Sequence, residues 1–280
     1  MMSLFVILFC MTVAIHAQTP SASPTPTPRH SPTLESQFFK NILRDQKAIW
    51  TAPFHLERHD AKWMVPSTIG LMALVTTDRN TGDFIARFDR PVKASRAISQ
   101  AGAVYSLGSA AASFYLIGRA KNNDRARETG VLTAEALINS VIVENALKAV
   151  FQRVRPLTGD ERSEFFDGGQ SFPSGHSTQV WAVATVVANE YKHRRSVQVA
   201  AYGVATAVSL SRVTAHRHYF SDVLAGSALG YGIGRYVYRT HHRQEPDSID
   251  NSKSSARWPT ILPTIDRRRH SYGVGVAWSF

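Results

Sequence analysis

Seven stretches of the chain carry apolar residues at helical spacing and over helical lengths: Ser36–Trp50, Trp63–Thr77, Val92–Gly118, Arg125–Arg153, Ser174–Tyr191, Ser196–Arg212 and Tyr219–Tyr238. They are rich in Ala and Leu and lack alternating β-branched runs, so helices are favoured over strands. The period changes only near the end, where Tyr272, Val274, Val276, Trp278 and Phe280 fall on alternate positions and predict a strand. The expected fold is all-α, a helical bundle of about six core helices followed by a short C-terminal β-strand or hairpin.

Punctuation residues refine this picture. Pro156 pushes its predecessor out of helical geometry, so the helix carrying Lys148 is expected to end near Arg155. Leu157–Phe172 contains Gly159, Gly168, Gly169 and four acidic residues and reads as a long loop. It leads into Pro173-Ser174-Gly175, a helix start with Ser174 as candidate cap. Residues 1–17 hold an apolar run from Leu4 to Ile15 before Ile15-His16-Ala17, a pattern of an export signal. Residues 18–33 are a Pro/Ser/Thr-rich linker, 34–243 the folded domain, and 244–280 a polar linker with the terminal strand.

Length of the uncharged runs bears on the membrane. The run between Arg96 and Arg119 has 22 residues but is dominated by Ala, Gly and Ser, whereas the others have 12 to 16. Those lengths suit core helices better than spans, so an exported, periplasmic or envelope-associated domain with peripheral membrane contact is expected rather than an integral one. With 280 residues, 44% of them apolar, one catalytic unit with appendages is expected. The lone cysteine, Cys10, lies in the expected signal, which excludes disulfides and thiol chemistry from the remainder. A formal charge of +11 suits anionic substrates or an anionic membrane surface. Nucleic acid is disfavoured, because no basic motif interleaved with aromatics is present. Nothing in the sequence sets the oligomeric state.

Three short blocks concentrate candidate chemistry: Lys148 with Arg155-Pro156, Pro173-Ser174-Gly175-His176, and Ser211-Arg212 with His218 and Asp222. Displacement at phosphorus spreads charge over three equatorial oxygens, which calls for fixed positive donors. Lys148 and Arg155, two turns apart on one predicted helix, and Arg212 supply them, the arginines as planar forks and the lysine as a point charge. Ser174, the Gly175 amide and His176 stand at a predicted helix N-terminus, where free amides favour an anion. His218 and Asp222 lie four apart, and a carboxylate beside an imidazole fixes its tautomer and leaves the other nitrogen free to attack. The plainer reading of the same pair is a surface histidine and a helix-capping aspartate. His176, His216, His218 and Asp222 also admit a metal reading, but no H-E-x-x-H or Cys/His spacing accompanies them and the surrounding cations oppose it.

Taken together, Lys148-x6-Arg155-Pro156, Pro173-Ser174-Gly175-His176 and Ser211-Arg212-x5-His218-x3-Asp222 resemble the three-part motif of the type 2 phosphatidic acid phosphatase superfamily, with all eleven motif residues in order. That superfamily includes bacterial acid phosphatases, lipid phosphate phosphatases and vanadium haloperoxidases. The resemblance implies that His218 attacks phosphorus to give a phosphohistidine, Asp222 orients it, and His176 protonates the leaving oxygen. It implies that Lys148, Arg155, Ser174, Gly175 and Arg212 hold the phosphoryl oxygens without a metal or other cofactor. Small-molecule and lipid phosphates both fit as substrates. Vanadate, as inhibitor or as a haloperoxidase cofactor, and a non-catalytic envelope binding protein are the alternatives.

Overall fold

The computed structural model describes residues 34–55, 58–86, 92–156, 164–242, 260–266 and 271–277. The proposed signal and linker, residues 157–163 of the loop, and Trp278 and Phe280 lie outside the described residues. Eight α-helices occur within them: α1 (Leu34–Thr51), α2 (Arg58–Ala86), α3 (Val92–Ala101), α4 (Val104–Ala120), α5 (Asp124–Phe151), α6 (Gly175–Glu190), α7 (Arg195–Thr214) and α8 (Phe220–His241). A 3-10 turn, Ala52–His55, extends α1. The terminal segment forms an antiparallel hairpin, β1 (Thr260–Asp266) with β2 (Ser271–Ala277), in the register Thr260↔Ala277 to Asp266↔Ser271. The all-α bundle with a C-terminal hairpin is therefore the observed fold.

Helix α6 is central, because its two faces enter different core clusters. Val180 and Val183 pack with Leu107, Leu137, Ala205 and Val208 on one side. Ala182 and Val186 pack with Leu132, Ala136, Val143, Ile233 and Val237 on the other. The approach of α8 to α6 is set by glycines one turn apart. A Cβ at Gly226 would stand 2.6 Å from the Ser174 carbonyl oxygen, and one at Gly230 would stand 2.1 Å from that of Thr178. Without side chains there, the helix backbones meet directly and the N-termini of α6 and α8 are locked side by side.

Two expected elements differ. The stretch Val92–Gly118 is divided into α3 and α4 at Gly102-Ala103, so its long uncharged run is not one span. A Cβ at Gly102 would meet Val208 Cγ1 at 2.3 Å, so the break is where α7 comes close. Helix α5 ends at Phe151, four residues before Arg155, with Gln152 in the left-handed region at φ 43°. The following loop takes over the backbone pairing: Phe166 N donates to Phe151 O (2.8 Å), Gly169 N to Gln152 O (2.9 Å) and Ser171 N to Arg153 O (2.8 Å). Proline limits only its neighbour, whereas this competing set of partners ends the helix earlier.

Candidate active site

All the predicted site residues gather at one end of the bundle, but several act differently from expectation. Lys148 lies in the last turn of α5, while Arg155 lies beyond the helix end, so the two do not share a helical face. Both nevertheless reach the same place. With Arg212, from the last turn of α7, they are the cations that act on His176 and on His218. Burial, then Arg212, Lys148 and Arg155, push the His176 imidazole down to about 4. Burial first, and the same three cations, hold His218 well below the ordinary histidine range. Both imidazoles are therefore neutral around neutral pH, facing a positive pocket.

His218 precedes α8, and its ring is almost wholly buried. Its Nδ1 lies 2.8 Å from the Ser171 carbonyl oxygen. A carbonyl only accepts, so Nδ1 carries the proton and Nε2 keeps its lone pair. Asp222 was expected to do this work directly, yet its Oδ2 is 3.9 Å from His218 Nδ1, beyond hydrogen-bond range. Instead Asp222 accepts from Arg153 Nη1 at 2.6 Å, from Ser171 Oγ at 2.5 Å and from the Tyr219 backbone N–H at 2.9 Å. It caps α8 and holds Ser171, whose carbonyl in turn holds the histidine.

Ser174 is the N-cap residue of α6, as expected, but its side chain makes no capping bond and instead accepts from Ser177 Oγ at 3.2 Å. Gly175 has an added reason to be glycine. A Cβ there would stand 2.1 Å from Glu144 Oε2, the atom that binds Lys148 Nζ at 3.1 Å. The glycine thus admits an ion pair that orients the lysine, and Gln179 Nε2 holds the other Glu144 oxygen at 3.1 Å.

Sequence reasoning missed Arg153, Ser171, Glu144, Asp78 and Ser99. Arg153 is fully buried and bridges helices: Nη2 to Asp78 Oδ2 of α2 (2.7 Å), and Nη1 to Ser221 Oγ (2.7 Å) as well as to Asp222. Its guanidinium lies between the rings of Phe165 (4.7 Å) and Tyr219 (4.3 Å). Ser99 of α3 bonds Arg212 Nη1. Only the position of Arg153 inside the first block and of Ser171 beside the second hinted at them.

The site is thus a cationic pocket with two neutral imidazoles at the end of a helical bundle. Residues 129–246 match the model of the PAP2 superfamily and contain every one of the eleven motif residues, so the resemblance read from the three blocks holds over that segment. Over 97 residues the chain is 39% identical to a lipid A 1-phosphatase of Porphyromonas gingivalis, covering 34% of this chain and 20% of that protein. Over 108 residues it is 34% identical to phosphatidylglycerophosphatase B of Bacillus subtilis, covering 36% and 49%. The chain thus spans from a fifth to about half of the length of these relatives. Two crystal structures are similar. One is a transmembrane PAP2-type phosphatidylglycerolphosphate phosphatase from Bacillus subtilis (TM-score 0.47, 22% identity, 72% of this chain and 93% of that one). The other is LpxE of Aquifex aeolicus (TM-score 0.45, 17% identity, 57% and 93%).

Proposed function

We propose that this protein is a lipid phosphate phosphatase that works through a covalent phosphohistidine on His218 and needs no metal for that chemistry. The observation that carries the reading is the Nδ1 contact of His218 with the Ser171 carbonyl, which leaves Nε2 as a nucleophile among Lys148, Arg155 and Arg212. In the first step Nε2 forms a bond to phosphorus as the P–O bond to the lipid breaks, and His176, which takes up a proton when the substrate's phosphate charge offsets the surrounding cations, gives that proton to the departing oxygen. In the second, His176 takes a proton from the attacking water, the P–N bond breaks and inorganic phosphate leaves. The cations stabilise the equatorial charge in both steps.

The lipid character of the substrate rests on the outer surface and on the relatives. Leu43, Ile69, Leu116, Ile142, Val199 and Leu224, from six different helices, are all exposed apolar side chains. Among the described residues α5 alone is long and apolar enough to cross a membrane, and much of it is buried within the bundle. So many exposed side chains favour a bundle embedded in lipid over the soluble domain expected from run lengths. The helix ends that carry His176 and His218 would then stand at the headgroup level on the extracytoplasmic side. The two relatives are named lipid A 1-phosphatase and phosphatidylglycerophosphatase B.

The test uses detergent-solubilised protein with a diacylglycerol phosphate and with a soluble nitrophenyl phosphate. His218→Ala is expected to lower turnover at least about a thousandfold, as loss of a nucleophile does. An alkaline quench with labelled lipid phosphate should leave label on His218, and full activity in the variant would refute the assignment. Release of the protein from membranes by carbonate would refute the embedded bundle.

A further inference from the structure

At the far end of the bundle from the phosphate pocket, α1, α5 and α8 bring together Asp45, Glu135 and His241, all buried. Glu135 precedes Lys148 by thirteen residues, about 20 Å along the helix, so this cluster takes no part in the chemistry above. We infer that Asp45, Glu135 and His241 form a binding site for a divalent transition-metal ion that ties α1 to α5 and α8.

The arrangement of the ligand atoms supports it. His241 Nε2 faces two carboxylate oxygens at once, Asp45 Oδ1 at 2.7 Å and Glu135 Oε1 at 3.3 Å. An N–H there can serve Asp45, the nearer. Both oxygens of Glu135 are wholly buried, with only the neighbouring Asn41 and Asp45 side chains and His241 Nε2 to meet them. Two carboxylates buried side by side with so few donors are costly, and a cation among the three residues offsets their charge. The ligand atoms all lie within 4.8 Å of one another. Neighbouring ligands in a tetrahedral shell with bonds of about 2.0–2.1 Å stand roughly 3.3–3.4 Å apart, so the Glu135 spacing already fits and the His241–Asp45 spacing needs only a small opening.

Outer hydrogen bonds aim the first ligand. Asn139 Nδ2 donates to Asp45 Oδ2 at 2.9 Å, and Gln46 Nε2 donates to Asn139 Oδ1 at 2.8 Å, which leaves Asp45 Oδ1 to the site. The buried amide oxygen of Asn41, which has no hydrogen-bond partner, is a candidate fourth ligand from the same helix, a turn before Asp45. One imidazole with two carboxylates suits Zn²⁺ or Mn²⁺ rather than the all-oxygen preference of Mg²⁺ or Ca²⁺, and two carboxylates neutralise a divalent charge.

A similar trio, Glu128, Glu190 and His242, lies one residue along and is partly exposed. Its carboxylates meet His242 Nδ1 at 2.9 and 3.0 Å.

The full chain in detergent would be dialysed against Zn²⁺, freed of excess and analysed for metal, with melting followed with and without a chelator. About one equivalent per chain and a melting point lowered by chelation are expected. Glu135→Gln and His241→Asn should reduce bound metal to background, whereas His218→Ala and His242→Asn should retain it. Cobalt loaded into the wild-type protein should give visible d–d absorption, a readout that does not depend on any variant folding. Background metal with no effect of chelation would overturn the site and identify the cluster as a shared-proton network. Stoichiometric metal retained in both cluster variants, or lost only in His242→Asn, would overturn it by placing the ion elsewhere.

Discussion

Arg153 joins α2 and α8 beside the pocket. Its guanidinium is the shared partner of Asp78 and Asp222, and it is wholly buried. Arg153→Met would leave two buried carboxylates without a cation, which should cost about 3–5 kcal/mol of stability, read as a lower denaturation midpoint. Arg153→Lys keeps the charge but not the fork and is expected to fall between wild type and Met in the same measurement. His176 makes a second prediction at this scale. Its depressed value of about 4 arises from burial and from cations that a bound phosphate dianion would offset. Binding of phosphate or vanadate should therefore raise its pKa and take up protons at about pH 5–6, which calorimetry in buffers of different ionisation enthalpy detects. Binding without proton uptake would contradict that role.

At the scale of elements, the site exists because α6 and α8 start side by side, and that closeness depends on glycine. Gly230→Ala would put a methyl group 2.1 Å from the Thr178 carbonyl oxygen, whereas a Cβ at Gly232 meets nothing within 4 Å. The first substitution is expected to cost about 1–3 kcal/mol, as overpacking does, and to lower kcat by moving His176 away from His218. The second should leave turnover unchanged and raise stability by about 0.5–1 kcal/mol through helix propensity alone, so melting and turnover of the pair separate packing from propensity. The helices themselves were legible from apolar spacing, because local periodicity specifies them. The ends were not. Helix α5 stops at Phe151 rather than near Arg155 because residues 166–171 bond the carbonyls of Phe151, Gln152 and Arg153, a contact no local pattern encodes. The motif residues were likewise legible by their order, whereas Ser171, Asp78 and Ser99 are ordinary residue types that only the folded chain brings to the site. The pairing of Asp222 with Arg153 instead of His218 belongs to this second kind of information.

For the whole molecule, the two neutral histidines link folding to pH. His176 and His218 bind a proton less readily when folded than when unfolded, so the unfolded chain takes up more protons below about pH 6.5. Stability should fall as pH drops from that point toward the folded pKa of about 4 for His176, by up to about 1.4 kcal/mol per pH unit for each histidine. Saturating vanadate should reduce the loss, because it favours the protonated site, and melting curves at several pH values with and without it measure the difference.

The bonds from Asp78 to Arg153 and from Ser99 to Arg212 cross from helices that precede the segment matched to the superfamily. A fragment containing only residues 129–246 would keep all eleven motif residues and lose both supports. Its signature would be intact while Arg153 and Arg212 each lost one partner. Transplanting the motif segment onto foreign leading helices would therefore transfer recognisable chemistry without its precision, unless an aspartate and a serine were rebuilt at those two contact points.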